Sequence, residues 1–414
     1  MTSVFGWVAT DAEQRRRMTE LVDQFRDSTT IDDLGLGGIR DAFADALFPG
    51  TSTLHTRIRY ALFVPWLMQL AADRRSSVTE MSAAFARSEF QLTTALLEGR
   101  EVTGVIGRVA GADLKRTASV VYWGMLSSWG VISRGFTLRQ YFERVLLRRM
   151  QARTQPRTDD PEAVWELTPT GLHEGLPSAP PDLLTSTDFT LRPEDARFLR
   201  ESITYSAPDS LLAHLVQNQP DGWTDRDSAP ESFASPEVMR DLPPELHSEV
   251  DRAYRYSVAT HGANLLYNLV LARRTHRERD DGSTYGEHYE AWIREWFDEA
   301  RSVGVPDSED LRRIWMMVTS TGRALSPSTR TFVEGWCASV ADSTSAEDLI
   351  HSQSLATRVA NREQEKKGPR ARLNPSNRQA LDAWTGAAGT GRNTFRWGIV
   401  RDHLQDLYDA EAAS

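Results

Sequence analysis

The sequence predicts a mainly α, multi-helical fold, and three observations carry that reading. Apolar residues recur at helical spacing: Ile39, Ala42, Phe43, Ala46 and Leu47 fall at i, i+3, i+4, i+7 and i+8, one face of an amphipathic helix. Helix-opening signals stand ahead of such stretches, for Thr10 with Glu13 and Thr137 with Gln140 have the spacing of a capping box. Residues 259–272 are apolar nearly all round, as a central core helix requires.

Taken in order, Met18, Leu21, Val22 and Phe25 mark a first helical face, and a polar, Gly-rich connection from Ser28 leads to Gly38. Arg40, Asp41 and Asp45 lie off the apolar face of the next helix, which Pro49-Gly50 ends. The apolar run Tyr60–Ala72 contains Pro65, which predicts a kink or break near Val64. At 13 residues it is too short to cross a bilayer, which takes ~20 apolar residues. Ser76-Ser77 precede a helix with Met81, Phe85, Leu92 and Leu96 in its core face, stopped at Gly99. A helix from Asp113 to Trp129, a short strand and turn at Val131–Phe136 and a basic helix after Thr137 fit a winged-helix-like segment near residues 113–150.

Six prolines between 151 and 190 read as a linker. Thr190–Glu194 opens a helix with Phe198, Leu199 and Ile203, and residues 217–244 read as a long surface loop. A helix from Pro244 to about Arg274 carries His261, Asn264 and Asn268 on one face, most simply read as hydrogen-bonded core groups. Trp292, Trp296, Trp315 and Trp336 belong to a run of aromatic-rich helices, and Ile399, Val400, Leu404 and Leu407 to a last one. The expected division is an N-terminal helical domain at 1–155, a Pro-rich linker at 156–190, a helical core domain at 191–350 and a basic C-terminal element at 351–414.

The 414 residues, 40% apolar and 26% charged, suit a soluble globular protein of two or three domains. A single cysteine, Cys337, excludes an intramolecular disulfide and any Cys-based metal site. The segment MTSVFGWVATDAEQRRR lacks the plan of a signal peptide and no run is long enough for a membrane span, so a cytoplasmic protein with no membrane partner is expected.

Charge is unevenly distributed within the net of −10. Residues 100–157 hold 11 Lys/Arg against 3 Asp/Glu, residues 158–310 hold 13 against 31, and residues 358–378 hold 7 against 2. Basic stretches in an acidic chain are candidate electrostatic footprints. They nominate Arg134, Arg139, Arg144, Arg148 and Arg149, then Arg358, Arg362, Lys366, Lys367, Arg370 and Arg372, for contact with DNA or an acidic partner. A solvated face, or pairing with the chain's own acidic middle, is the competing reading. Only three lysines occur, so a single arginine carries little information.

No Walker A motif, dinucleotide fingerprint, nucleophile elbow or His-Glu-x-x-His is present, and the nine histidines show no metal-ligand spacing, so no cofactor or metal is expected. The densest polar group against apolar sequence is Asp41, Asp45, His55, Arg57 and Arg59. A buried Arg–Asp network is its simplest reading, and a pocket for an anion or nucleic-acid phosphate the sharper one.

Motifs along nearly the whole chain resemble a bacterial family of unknown function: Phe5-Gly6-Trp7, Leu34-Gly35-Leu36-Gly37, the run IRDAFADALFPGTSTLHTRIRY from Ile39, and Phe63-Val64-Pro65-Trp66. Val121-Tyr122-Trp123, Trp129-Gly130-Val131, His261–Leu269, Arg362-Glu363, Ala371-Arg372-Leu373, Trp384-Thr385-Gly386, Arg396-Trp397 and Asp406-Leu407 are similar too. The resemblance implies a setting, not a chemistry: genes of the family lie beside helicase and phospholipase-D-like nuclease genes in antiphage defence islands. The combined expectation is a non-catalytic accessory subunit of a bacterial antiphage system that contacts DNA or a helicase or nuclease subunit encoded nearby. The alternatives are a nuclease-like enzyme with its site around Asp41, Asp45, His55, Arg57 and Arg59, and a helical scaffold that binds only protein.

Overall fold

In a computed structural model, the protein is described at residues 32–101, 103–108, 116–154 and 168–412. The expected capping box at Thr10, the helical face of Met18–Phe25 and the Phe5-Gly6-Trp7 motif lie outside these residues, as do Asp113 and Leu114. The described residues form sixteen α-helices: α1 (Gly37–Leu47), α2 (Tyr60–Ala72), α3 (Val78–Glu98), α4 (Ala118–Ser128), α5 (Leu138–Thr154), α6 (Pro193–Ser206), α7 (Leu211–Gln217), α8 (Pro236–Met239), α9 (Pro244–Thr275), α10 (Tyr285–Val303), α11 (Ser308–Ser320), α12 (Pro327–Asp342), α13 (Ala346–Ile350), α14 (Gln353–Lys367), α15 (Arg378–Asp382) and α16 (Trp397–Ala412). Among them there is no strand, only isolated bridges from Ile132 to Leu172 and from Glu278 to Thr284. The strand expected at Val131–Phe136 is therefore a single bridge, and among the described residues no two-stranded wing stands beside α4 and α5.

The chain divides into two compact units, each discontinuous in sequence: Met1–Phe43 with Asp251–Asn393, and Ala44–Val250 with Thr394–Ser414. The sequence reading divides the chain serially instead, because composition marks local stretches and carries no trace of which distant stretches pack together.

In the second unit α2 is the centre. Every residue from Tyr60 to Met68 is buried, and the helix packs against α3, α4 and α5. It runs unbroken through Pro65; close packing on all sides holds a turn that lacks one backbone donor. Ser77 caps α3 by accepting from Glu80 N, and the Thr137/Gln140 capping box opens α5, with Gln140 Oε1 accepting from Thr137 N at 2.9 Å. The described part of the expected linker, 168–190, is pinned to this unit. Trp66 donates its indole N–H to Pro177 O at 2.7 Å, Thr187 N donates to Ala95 O, and Leu183 and Phe189 are buried. The surface segment 217–244 is likewise anchored, with most of its residues exposed and a few buried. Trp223, Phe233 and Val238 are core residues, and the Trp223 indole donates to Gln405 Oε1 of α16 at 2.7 Å. Pro and Gly interrupt periodicity in both segments, but one aromatic every few residues is enough to anchor them.

In the first unit α9 is the core helix. Trp296 of α10 donates to Val258 O at 2.8 Å and Trp336 of α12 to Ala259 O at 2.7 Å, and the two rings stack with centroids 6.0 Å apart. Asn268 uses its whole amide: it donates to Asn264 O and Ala388 O, and accepts from Ala388 N and the Trp384 indole. Gly262 lets the Trp296 ring approach the helix backbone, for a Cβ there would meet ring atoms at 2.0 to 2.4 Å. Gly262→Ala is expected to destabilise the first unit by about 1–3 kcal/mol through overpacking, despite the higher helix propensity of Ala. A urea midpoint equal to or above the parent's would contradict this packing.

Candidate functional site

The five polar residues of the Asp41–Arg59 stretch each meet a different partner. Asp41 pairs with its neighbour Arg40 at 3.2 Å. Asp45 receives Arg396 Nη1 at 2.8 Å, and the same nitrogen donates to Thr51 O at 2.8 Å. Arg396 and Phe395 hold positive φ values, 72° and 49°, at the turn into α16, so a left-handed bend in two non-glycine residues accompanies this contact. His55 Nδ1 accepts from Ser52 N at 3.1 Å, and Nε2 lies 3.2 Å from Val121 O. A carbonyl only accepts, so Nε2 carries the proton and the ring is the neutral tautomer with both nitrogens engaged. The ring stacks on Tyr122 at 4.4 Å, whose hydroxyl donates to Arg57 O and accepts from Thr56 N.

Arg57 forks onto Asp406 of α16, Nε to Oδ2 and Nη2 to Oδ1, both at 2.9 Å, and its guanidinium lies 4.8 Å over the Phe189 ring. Arg226 reaches Asp406 Oδ1 at 2.9 Å and Asp402 Oδ1 at 2.8 Å. Burial pushes the Asp406 carboxyl up, and the hydrogen bonds from Arg57 oppose that shift. Arg59, buried, donates to Asp188 O and Oδ1 and lies 3.8 Å from Asp195, which Arg192 holds from the other side at 2.6 Å. The structure thus distributes these residues among separate ion pairs and hydrogen bonds, from the partly exposed Asp41 and Asp45 to the buried Arg59, whose Nε is shielded from solvent with no acceptor among the described residues. Among the described residues no three His, Cys, Asp or Glu side chains converge as a metal site would need.

The C-terminal basic cluster splits in two. Arg362 is buried and donates to Leu34 O, Gly35 O and Thr329 Oγ1. Lys367 and Arg372 both pair with the buried Asp33 carboxylate. Glu363, fully enclosed, accepts from Tyr267 OH at 2.7 Å and from the backbone N–H groups of Arg372 and Leu373 at 2.8 Å. Gly35, at φ 66°, takes the aliphatic stem of Lys366 against its Cα, where a Cβ would clash at 2.6 Å. Arg358 and Arg370 stand exposed, as does Lys366 beyond its stem.

On α5, Arg149 turns inward and donates to Ala72 O and Arg75 O at 2.9 and 2.8 Å, satisfying the carbonyl end of α2. Arg139 is exposed and pairs with Glu143. Arg144 is exposed and lies 5.9 Å over Phe136. Arg134 and Arg153 are exposed, and Arg148 is half-buried. The residues that sequence reasoning missed as partners are Asp33, Asp188, Asp195, Glu363 and Asp406. Arg362-Glu363, Arg396-Trp397 and Asp406-Leu407 stand among the motifs of the family resemblance, and that was the one signal available for them.

His403 of α16 stacks against His55 with centroids 5.9 Å apart, fully buried, with neither ring nitrogen hydrogen-bonded among the described residues. Burial first, and the neighbouring His55 and Arg57 second, drive its pKa well below the ordinary histidine value. The unfolded chain therefore binds a proton at His403 as pH falls through about 6.5, while the folded chain does not. Stability from this group is complete above that pH and is lost below it, by up to ~1.4 kcal/mol per pH unit. The urea midpoint is expected to fall between pH 7.5 and 5.5, and His403→Leu to flatten that fall. An unchanged pH slope in the variant would contradict the assignment.

Among the described residues no helix is long and apolar enough to cross a membrane. No curated protein and no solved structure matches the chain. One family model does, over residues 2–411, and the chain belongs to that family, described as a family of unknown function (DUF6361).

Proposed function

We propose that the protein is a non-catalytic helical accessory subunit of a bacterial antiphage system, and that it meets DNA through the outward arginines of the turn before α5 and of α5 itself. The observation that carries the reading is the partition of positive charge. Arg57, Arg59, Arg149, Arg362, Lys367 and Arg372 are spent on internal carbonyls and carboxylates, whereas Arg134, Arg139, Arg144 and Arg153 point outward from a single segment of the second unit. Exposed guanidinium groups on one helix suit phosphates, because each neutralised phosphate releases condensed counterions. Arg358, Lys366 and Arg370 offer a further exposed set on the first unit. The defence setting rests on the motif resemblance alone.

A specific observation favours a second reading, a nucleic-acid-processing protein as the partner. Leu147 and Met150 are 42% and 64% exposed on α5, and Arg144 and Arg153 stand three positions before and after them. An apolar pair edged by arginines matches an acidic amphipathic surface better than a phosphate backbone.

Binding to a short DNA duplex is expected to weaken steeply with salt, and Arg144→Ala with Arg153→Ala to lower the slope of log Kobs against log salt by about 1 per lost contact. Leu147→Ser with Met150→Ser should leave DNA affinity unchanged and weaken only a protein partner. Absence of salt-dependent DNA binding by the folded parent protein would overturn the first reading, and a loss caused by the apolar pair alone would select the second.

A further inference from the structure

A concavity of about 540 Å³ opens on the first unit, lined by Arg312, Trp315, Met316, Thr319 and Ser320 of α11 and Arg330 of α12. Its exposed apolar surface is chiefly Met316, which is 61% exposed on a helix that buries Leu311, Ile314, Trp315 and Val318. Trp315 is almost wholly covered and keeps its indole N–H on Glu334 Oε1 at 3.1 Å. Arg330 lies 5.9 Å over the Trp315 ring. Among the described residues its guanidinium has no carboxylate partner, and its Nε is shielded from solvent with no hydrogen-bond acceptor. Arg312 is held by Glu309 through Nε at 2.9 Å and Nη2 at 2.6 Å, which leaves its Nη1 edge towards the Met316 sulfur at 3.5 Å. The lining contains no carboxylate.

The shielded Nε is out of reach of a ligand, but the terminal nitrogens of Arg330 are not so enclosed, and no carboxylate neutralises the guanidinium among the described residues. A carboxylate brought to those nitrogens would make a charge-assisted bond without displacing an existing partner, and a large apolar side chain would cover Met316, whose unbranched thioether adapts to varied shapes. A nucleobase fits less well, because Trp315 presents no free ring face for stacking. We propose that this concavity docks a short peptide segment of a partner protein in which an acidic residue stands beside a large apolar one. The site is on α11 and α12 and does not depend on the reading of α5.

The test is selection of a random linear 12-residue peptide library on the full chain, followed by fluorescence-polarisation titration of the enriched peptides made synthetically. Enrichment of Asp or Glu within two positions of Leu, Ile, Phe, Met or Trp is expected. Affinity should fall about tenfold or more in Met316→Asp and, separately, in Arg330→Gln. Met316 is solvent-facing, so its variant should keep the parental melting temperature, which keeps the experiment informative if the Arg330 variant unfolds. No enrichment, enrichment of peptides without an acidic residue, peptides that bind both variants as tightly as the parent, or competition at this site only by a single-stranded oligonucleotide would each overturn the proposal.

Discussion

The fork of Arg57 onto Asp406 is the constraint on which the second unit depends. Asp406 could not be buried alone, since an isolated charge in a protein interior carries several kcal/mol of desolvation cost. Two hydrogen bonds at 2.9 Å, with Arg226 as a second cation, make the burial of Asp406 tolerable. The pair joins residues 349 positions apart, so the last helix is fixed to the loop ahead of α2 by a contact of specified geometry. Arg396 on Asp45 fastens the beginning of the same helix to the end of α1. The first unit repeats the device with other residues: Asp33 takes Lys367 and Arg372, and Arg362 takes the carbonyls of Leu34 and Gly35. In each unit the sequence-distant parts are held by charge-assisted bonds that require both ends, a means of specifying pairing that apolar burial, being non-directional, lacks.

This plan explains what could be read from the sequence and what could not. Helical periodicity identifies α1, where Ile39, Ala42, Phe43 and Leu47 are all buried, and it identifies α9 as a core helix with Asn268 satisfied inside it. These features are local, and local rules reach them. The cap at Thr137 is legible for the same reason. The burial of Trp223 and Phe233 within the surface segment is not legible, because Pro and Gly around them erase periodicity and nothing local records that Gln405 accepts from the Trp223 indole. The Val131–Phe136 stretch reads as a strand from its apolar residues, yet a strand needs a partner along its length, and only Ile132 finds one, in Leu172.

The candidate site was legible in half. The residues Asp41, Asp45, His55, Arg57 and Arg59 stand out from sequence as polar groups embedded in apolar surroundings. Their partners, Asp406, Asp188, Asp195 and Arg396, are invisible at that level because they lie between about 130 and 350 positions away. Once the partners are in place, His55 has both ring nitrogens engaged and Arg57 is forked onto Asp406. The same partition separates the basic clusters. Arg362 and Arg372 contribute to the apparent charge of 358–378 but face inward, while Arg134 and Arg144 contribute to 100–157 and face outward. Net charge along a sequence cannot tell these apart, since a guanidinium held by a carbonyl and one held by water count alike.

The charged residues around α2 are fasteners whose value lies in being paired. A double-mutant cycle on the second unit's principal pair tests this most directly: the unfolding free energies of Arg57→Ala, Asp406→Ala and the double variant, measured in the full chain at pH 7.5. A coupling energy of about 2–3 kcal/mol or more is predicted, with the double variant little worse than Asp406→Ala alone. Additive effects, with coupling below ~0.5 kcal/mol, would show that the two groups act independently and would contradict the account.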